Sequence, residues 1–241
     1  MFVTSKAVVL NRVRHTDQRF LTTLYTQELG SVTFAVRIPK TRKAQIKPYL
    51  FQPLNLLTIE WDHRPTTAIQ RLKSVSILSP YATLTTTPAK AAIATFLSEV
   101  LTYSLRPEHE GALFPFLQTS LLVLDQKADS YANFHIVFLS LLARHLGFPP
   151  NIEQADTSPV FDLLNAEFLP TPPTHPYWIE GTEAQFLPTL LRLNYANMHR
   201  LKLSRAQRQR ILRLLVDYYR LHIPSFPEVR SLAVLGEVFA T

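Results

Sequence analysis

A change of hydrophobic period at residues 80–88 limits what this chain can fold into more than any other feature. Upstream of it, apolar residues recur at every second position. Val32, Phe34, Val36 and Ile38 alternate with Thr33, Ala35 and Arg37, and Leu57, Ile59 and Trp61 alternate with Thr58 and Glu60. That period puts one face of a strand in a core and the other in water. Downstream the spacing turns to three and four, as in Ile93, Phe96, Leu97, Val100 and Leu101, the stripe of a helix packed on one side. Between them PYATLTTTP, from Pro80 to Pro88, has no apolar period and is bounded by prolines, which marks a connection. The expected class is α+β, with strands first and helices after.

Five strands are expected in the first part, at 6–14, 20–26, 30–38, 54–62 and 69–78, with Val8 and Leu10 sharing a face of the first. The polar turn His15-Thr16-Asp17-Gln18 separates the first two, Gly30 opens the third, and His63-Arg64-Pro65 precedes the fifth. Short strands in this number make a small barrel, either an OB-fold or an SH3-like one. The connection after the third strand favours the OB-fold. Arg37, Lys40, Arg42, Lys43 and Lys47 follow one another there with no acid among them, and Tyr49 and Phe51 come next. Cations with aromatic rings beside them answer to a phosphate backbone carrying stackable bases. A loop that is basic only for solubility has the same composition.

Several function classes are excluded by what is missing. The 241 residues include no cysteine, which removes disulfides, thiolate zinc sites, iron–sulfur clusters and cysteine nucleophiles together. The five glycines are isolated, so neither a Walker-type loop nor a dinucleotide fingerprint can be built from them. No apolar run reaches the ~18 residues of a spanning helix, and the early run 7–10 is too short for a signal peptide. The net charge of +7 is unevenly placed: residues 1–80 carry +8, residues 81–191 carry −7 and residues 192–241 carry +6. Two basic ends point to a polyanion partner, and the acidic middle to a different partner or to solvent.

Helices are expected at 89–105, 108–125 and 130–146, the third apolar on most sides and therefore central, with Gly147 placed to cap it. Residues 149–176 hold seven prolines and read as irregular, with Val160–Asp162 and Glu167–Leu169 able to form a hairpin. Helices resume at 183–194 and 204–222. In the latter Ser204 and Gln207 make a capping box, and Ile211, Leu212, Leu215, Tyr218 and Tyr219 face inward. Arg210, Arg213, Asp217 and Arg220 lie on its other edge, with Arg213 and Asp217 spaced for an ion pair. A final helix is expected at 228–240.

The order of these parts resembles the RecO family of bacterial recombination mediators. The similarity rests on Lys6-Ala7-Val8-Val9-Leu10, on Thr16-Asp17-Gln18-Arg19-Phe20-Leu21-Thr22-Thr23-Leu24-Tyr25-Thr26 with Glu28-Leu29-Gly30, and on the basic run at 40–43. Farther on it rests on Leu141-Leu142-Ala143-Arg144-His145-Leu146-Gly147-Phe148-Pro149-Pro150, Tyr218-Tyr219-Arg220-Leu221-His222 and Arg230-Ser231-Leu232-Ala233-Val234-Leu235. The resemblance implies an OB-fold domain at 1–80, a linker at 81–88 and a mostly helical domain at 89–241 with a proline-rich insertion at about 149–181. It implies no catalytic centre and no cofactor. It also implies binding to single- and double-stranded DNA, annealing of complementary strands, and help in loading a RecA-type recombinase onto DNA covered by single-strand-binding protein. RecR and the acidic C-terminal tail of the single-strand-binding protein are the implied partners, in the bacterial cytoplasm at the nucleoid. One departure stands out: many members hold a zinc with four cysteines just after the Leu-Gly-Phe segment, and 151–169 has none here, so the hairpin is expected to fill that place.

The DNA-binding candidates are Arg37, Lys40, Arg42, Lys43 and Lys47, with Arg12, Arg14 and Arg19 on neighbouring strands. Tyr49 and Phe51 are candidates for base stacking, although aromatic rings in a barrel also serve as core. Lys202, Arg205, Arg208 and Arg210 form a second basic patch which, with Arg144, suits DNA or a partner's acidic tail; a solvated face has the same composition. His15/Asp17, Asp62/His63 and Glu108/His109/Glu110 set imidazole beside carboxylate, but none has the four-residue helical spacing of a paired-histidine metal site. Two other readings remain: a barrel that binds protein only, and a metal-dependent nuclease.

Overall fold

The computed structural model describes residues 1–37, 46–105 and 111–238. The residues form two compact units: 1–126 together with the helix that follows Val229, and 127–228.

The first unit contains β1 (Phe2–Thr16), β2 (Arg19–Thr26), β3 (Gly30–Arg37), a 3-10 turn at Pro48–Phe51, β4 (Leu56–Asp62), β5 (Ile69–Gln70) and β6 (Leu72–Ser79). Helices α1 (Pro88–Ser104) and α2 (Leu113–Gln126) follow, and the last helix of the chain, α6 (Ser231–Val238), belongs to this unit too. The strand order is β5-β3-β2-β1-β4-β6. The fifth expected strand is present in two pieces divided at Arg71. Its first piece pairs in parallel with β3, Thr33 opposite Ile69 and Phe34 opposite Gln70. Its second pairs antiparallel with β4, from Trp61 opposite Leu72 to Leu56 opposite Ser79. One segment therefore joins both edges of the sheet, and the sheet closes as an OB-fold barrel.

The barrel core follows the period of two. Val3, Ala7 and Val9 of β1, Phe34 and Val36 of β3, and Leu57, Ile59 and Trp61 of β4 all point into one cluster. Trp61 and Phe34 meet edge to face with ring centroids 5.5 Å apart. Val8 and Leu10 are buried as well, so β1 is covered on both sides over 7–10. The register of β1 against β2 skips Leu10, a bulge that frees its carbonyl from the ladder. Ser98 Oγ and Thr102 Oγ1 of α1 donate to that carbonyl, which docks the helix on the barrel.

The 80–88 connection is held rather than loose. The Asp125 carboxylate, at the end of α2, accepts from the amides of Ala82 (3.0 Å), Thr83 (2.8 Å) and Leu84 (2.7 Å). Burial pushes this carboxyl up, and those amide donors more than offset it, so its pKa is lowered. Glu99 of α1 likewise receives the amides of Arg230 (3.0 Å) and Ser231 (2.8 Å), fastening the start of α6 to α1.

The second unit contains α3 (Phe134–His145), the strands β7 (Val160–Asp162), β8 (Glu167–Leu169) and β9 (Trp178–Glu180), and helices α4 (Gly181–Leu191) and α5 (Arg205–His222). The expected hairpin is β7–β8, and β9 adds a third strand on the other side of β7. The sequence does not announce β9, because three residues so close to prolines carry no period. Buried Asp162 accepts from the Leu164 amide (2.8 Å), the Asn165 amide (3.1 Å) and Asn165 Nδ2 (2.8 Å), and thereby closes the turn. α3 is buried on most of its surface, as expected of a central helix, and Gly147 at φ +83° ends it with the Phe148 amide on the Ala143 carbonyl at 3.0 Å. The capping box of α5 is present in both directions. Asp217 pairs with Arg220 at 3.8 Å, one turn on, and not with Arg213.

Candidate nucleic-acid interface

The expected DNA-binding residues begin on β1. Arg12 donates from Nη1 to the Pro48 carbonyl at 3.0 Å, and its guanidinium carbon lies 5.2 Å above the Phe20 ring. Arg14 is paired with Asp17 at 2.6 Å across the β1–β2 turn, which spends part of its charge locally. Arg19 and Arg37 stand directly opposite each other in the β2–β3 register and are both exposed. Like charges facing across a ladder cost stability. Lys40, Arg42 and Lys43 lie outside the described residues. Lys47 is exposed immediately before the 3-10 turn.

The two aromatic candidates separate. Tyr49 is 57% exposed on the 3-10 turn, whose backbone is pinned by Arg12 on Pro48 and by Asn55 Nδ2 on the Tyr49 (3.3 Å) and Leu50 (2.9 Å) carbonyls. Phe51 needs correction: it is 0% exposed and meets Phe20 edge to face at 5.3 Å. In a 3-10 turn, residues two apart point in different directions, so Tyr49 faces water while Phe51 plugs the barrel.

A cation that sequence reasoning missed joins this surface. Arg71, at the break between β5 and β6, lines a cleft of ≈ 400 Å³ with Arg19 and Arg37, over Val36, Ile46 and Leu72. No acidic side chain lines it among the described residues. The available signal was a cation just after an inward Gln in an alternating strand.

In the second unit the basic candidates are unevenly committed. Arg144 donates to the Leu191 carbonyl at the end of α4. Arg208 is half-buried, and donates from Nε to Asn133 Oδ1 (3.1 Å) and from Nη2 to the Leu203 carbonyl (3.3 Å). Asn133 in turn donates to the Leu201 carbonyl at 2.7 Å, so Arg208 helps to hold the segment before α5. Arg210 is exposed and paired with Glu183. Both rim an apolar groove of ≈ 270 Å³ between α4 and α5, floored by Phe186, Leu190, Ile211 and Leu214. Lys202 and Arg205 are exposed beside the start of α5. Among the described residues no three His, Asp or Glu side chains converge as metal ligands would, and no helix is long and apolar enough to cross a membrane.

Residues 1–81 match the family described as recombination protein O N terminal, and residues 86–232 match recombination protein O C terminal. The chain belongs to the RecO family. The two RecO matches meet where the hydrophobic period changes. A DNA repair protein RecO of Bacteroides fragilis is 42% identical over 234 residues, covering 96% of this chain and 97% of that one. The RecO of Phocaeicola vulgatus is 41% identical, covering 97% of each. That of Christiangramia forsetii is 33% identical, covering 99% of this chain and all of that one. The chain is therefore a RecO-family protein of DNA repair and recombination, built on an OB-fold and a helical region.

Proposed function

We propose that this RecO-family chain is a non-enzymatic mediator that binds single- and double-stranded DNA through its barrel. In this reading it anneals complementary strands and, with RecR, helps a RecA-type recombinase onto DNA covered by single-strand-binding protein. The observation that carries it is the opposed pair Arg19 and Arg37, which no described carboxylate neutralises; in the sequence Lys40, Arg42, Lys43 and Lys47 follow Arg37 with no acid among them. Like charges held across a ladder call for an anion to offset them. The acidic tail of the single-strand-binding protein is assigned to the start of α5, where Lys202 and Arg205 are exposed and Arg210 rims the apolar groove. The work is placed in the bacterial cytoplasm, at the nucleoid.

Because the attraction is to backbone charge, binding falls steeply with salt and is nearly blind to sequence. Fluorescence anisotropy with labelled oligo-dT at two salt concentrations tests this. Replacing Lys40, Arg42 and Lys43 with Ala lowers affinity and flattens the salt slope by about 0.7 for each single-strand phosphate that is no longer neutralised. Binding that ignores salt, or no binding by the unaltered protein, sinks the reading in favour of a barrel that binds protein only. Cleavage of the oligonucleotide with magnesium or manganese sinks it in favour of a nuclease.

A further inference from the structure

We infer that the cleft of Arg19, Arg37 and Arg71 takes one unstacked nucleotide of a single strand, phosphate and base together, and that Arg71 is the residue that makes it selective for single strands. The inference rests on the DNA-binding reading above and adds to it a subsite and a preference.

Arg71 is placed by the fold and not by its neighbours in sequence. Gln70, one residue earlier, is turned inward: its Oε1 accepts from the Arg64 amide at 3.0 Å and its Nε2 donates to the Arg64 carbonyl at 2.9 Å. A strand alternates, so Arg71 must turn outward. It does so where the segment leaves β3 for β4, beside the cross-strand pair Arg19 and Arg37. Three guanidinium groups thus surround one cleft, each able to grip phosphate through two parallel hydrogen bonds. The segment 38–45, which joins Arg37 to Ile46, contains no acid to offset them.

The cleft is not only cationic. Ile46 and Leu72 pack against the barrel core and remain partly exposed in it. A bare phosphate has no use for that surface, whereas a base lies against apolar side chains and stacks on a guanidinium plane. The volume of ≈ 400 Å³ falls at the lower end of small-ligand sites, roughly 300–1,000 Å³. That is room for one nucleotide. A base inside a duplex is paired and stacked, and both must be undone to take it out. The cleft therefore discriminates against double strands while the surrounding cations do not.

The test compares three labelled probes of equal phosphate number: oligo-dT, an abasic single strand and a blunt duplex. The unaltered protein binds oligo-dT more tightly than the abasic strand. Arg71→Ala weakens oligo-dT about tenfold and lowers its salt slope by about 0.7, while the abasic strand and the duplex weaken no more than about threefold. Arg71→Lys, which keeps the charge without the fork, falls between. Arg71 is exposed and makes no hydrogen bond to the described residues, so the variants keep the melting temperature of the parent. Equal losses on all three probes, or no loss on any, overturn the subsite and leave general DNA binding standing. Failure of the unaltered protein to bind any probe overturns both.

Discussion

Lys90 Nζ lies 2.8 Å from the Asp125 main-chain oxygen and 2.6 Å from Thr83 Oγ1, while the Asp125 carboxylate takes the amides of residues 82–84. Lys90 and Asp125 are both buried. Burial pushes the Lys90 pKa down and the Asp125 charge opposes that shift, and the pair ties the 80–88 connection to α1 and α2.

Removing Asp125 takes the acceptor from three amides at once, of which that of Leu84 is buried. Asp125→Ala should destabilise the protein by about 1–3 kcal/mol, the cost of a buried donor left without an acceptor. Lys90→Met keeps the apolar stem and leaves the three amide hydrogen bonds in place, and should cost far less. Urea denaturation of the two variants checks the order; a milder Asp125→Ala would show that the connection is not held by that carboxylate.

The two aromatic residues of the 3-10 turn should behave oppositely. Phe51→Ala empties a core position and should cost about 3–5 kcal/mol, with the affinity of the folded protein for oligo-dT unchanged. Tyr49→Ala should leave stability within about 0.5 kcal/mol and weaken single-strand binding by about 1–3 kcal/mol. Thermal melts paired with anisotropy titrations read both. A Tyr49 variant that binds as well as the parent would remove that ring from the interface.

His135 sets a pH limit on the second unit. Burial, aided by the Arg208 cation, pushes its pKa down from 6.5 to about 3. The unfolded chain takes up that proton below about pH 6.5, and the folded protein refuses it until about pH 3. Stability should therefore fall as pH drops through this window, by up to roughly 1.4 kcal/mol per unit. Asp125 and Asp162, held below 3.8, keep their contribution above that value and lose it only in stronger acid. Denaturation midpoints at pH 7 and pH 5 should differ in the parent and converge in His135→Leu. A slope unchanged by the substitution would assign the effect to other groups.

Periodicity and caps were enough to read the strands, the central α3, the Gly147 stop, the capping box at Ser204 and the β7–β8 hairpin. Each of these is decided by residues within a few positions of one another, through side-chain alternation or a local hydrogen bond. The basic character of the barrel was equally legible, since charge is additive along a chain. β9 and the precise ends of helices were not, because short segments carry too little pattern.

What tertiary structure alone decided is which distant groups meet. Phe51 became core and Tyr49 surface because the 3-10 turn rotates between them against the barrel mouth. Arg208 became a brace because Asn133 lies within its reach. Arg71 became part of a cationic cleft because one strand, in crossing from β3 to β4, closes the sheet beside Arg19 and Arg37. A sequence carries the period that makes a strand, but the edge that strand finds depends on burying the whole core at once, and that is a property of the closed barrel.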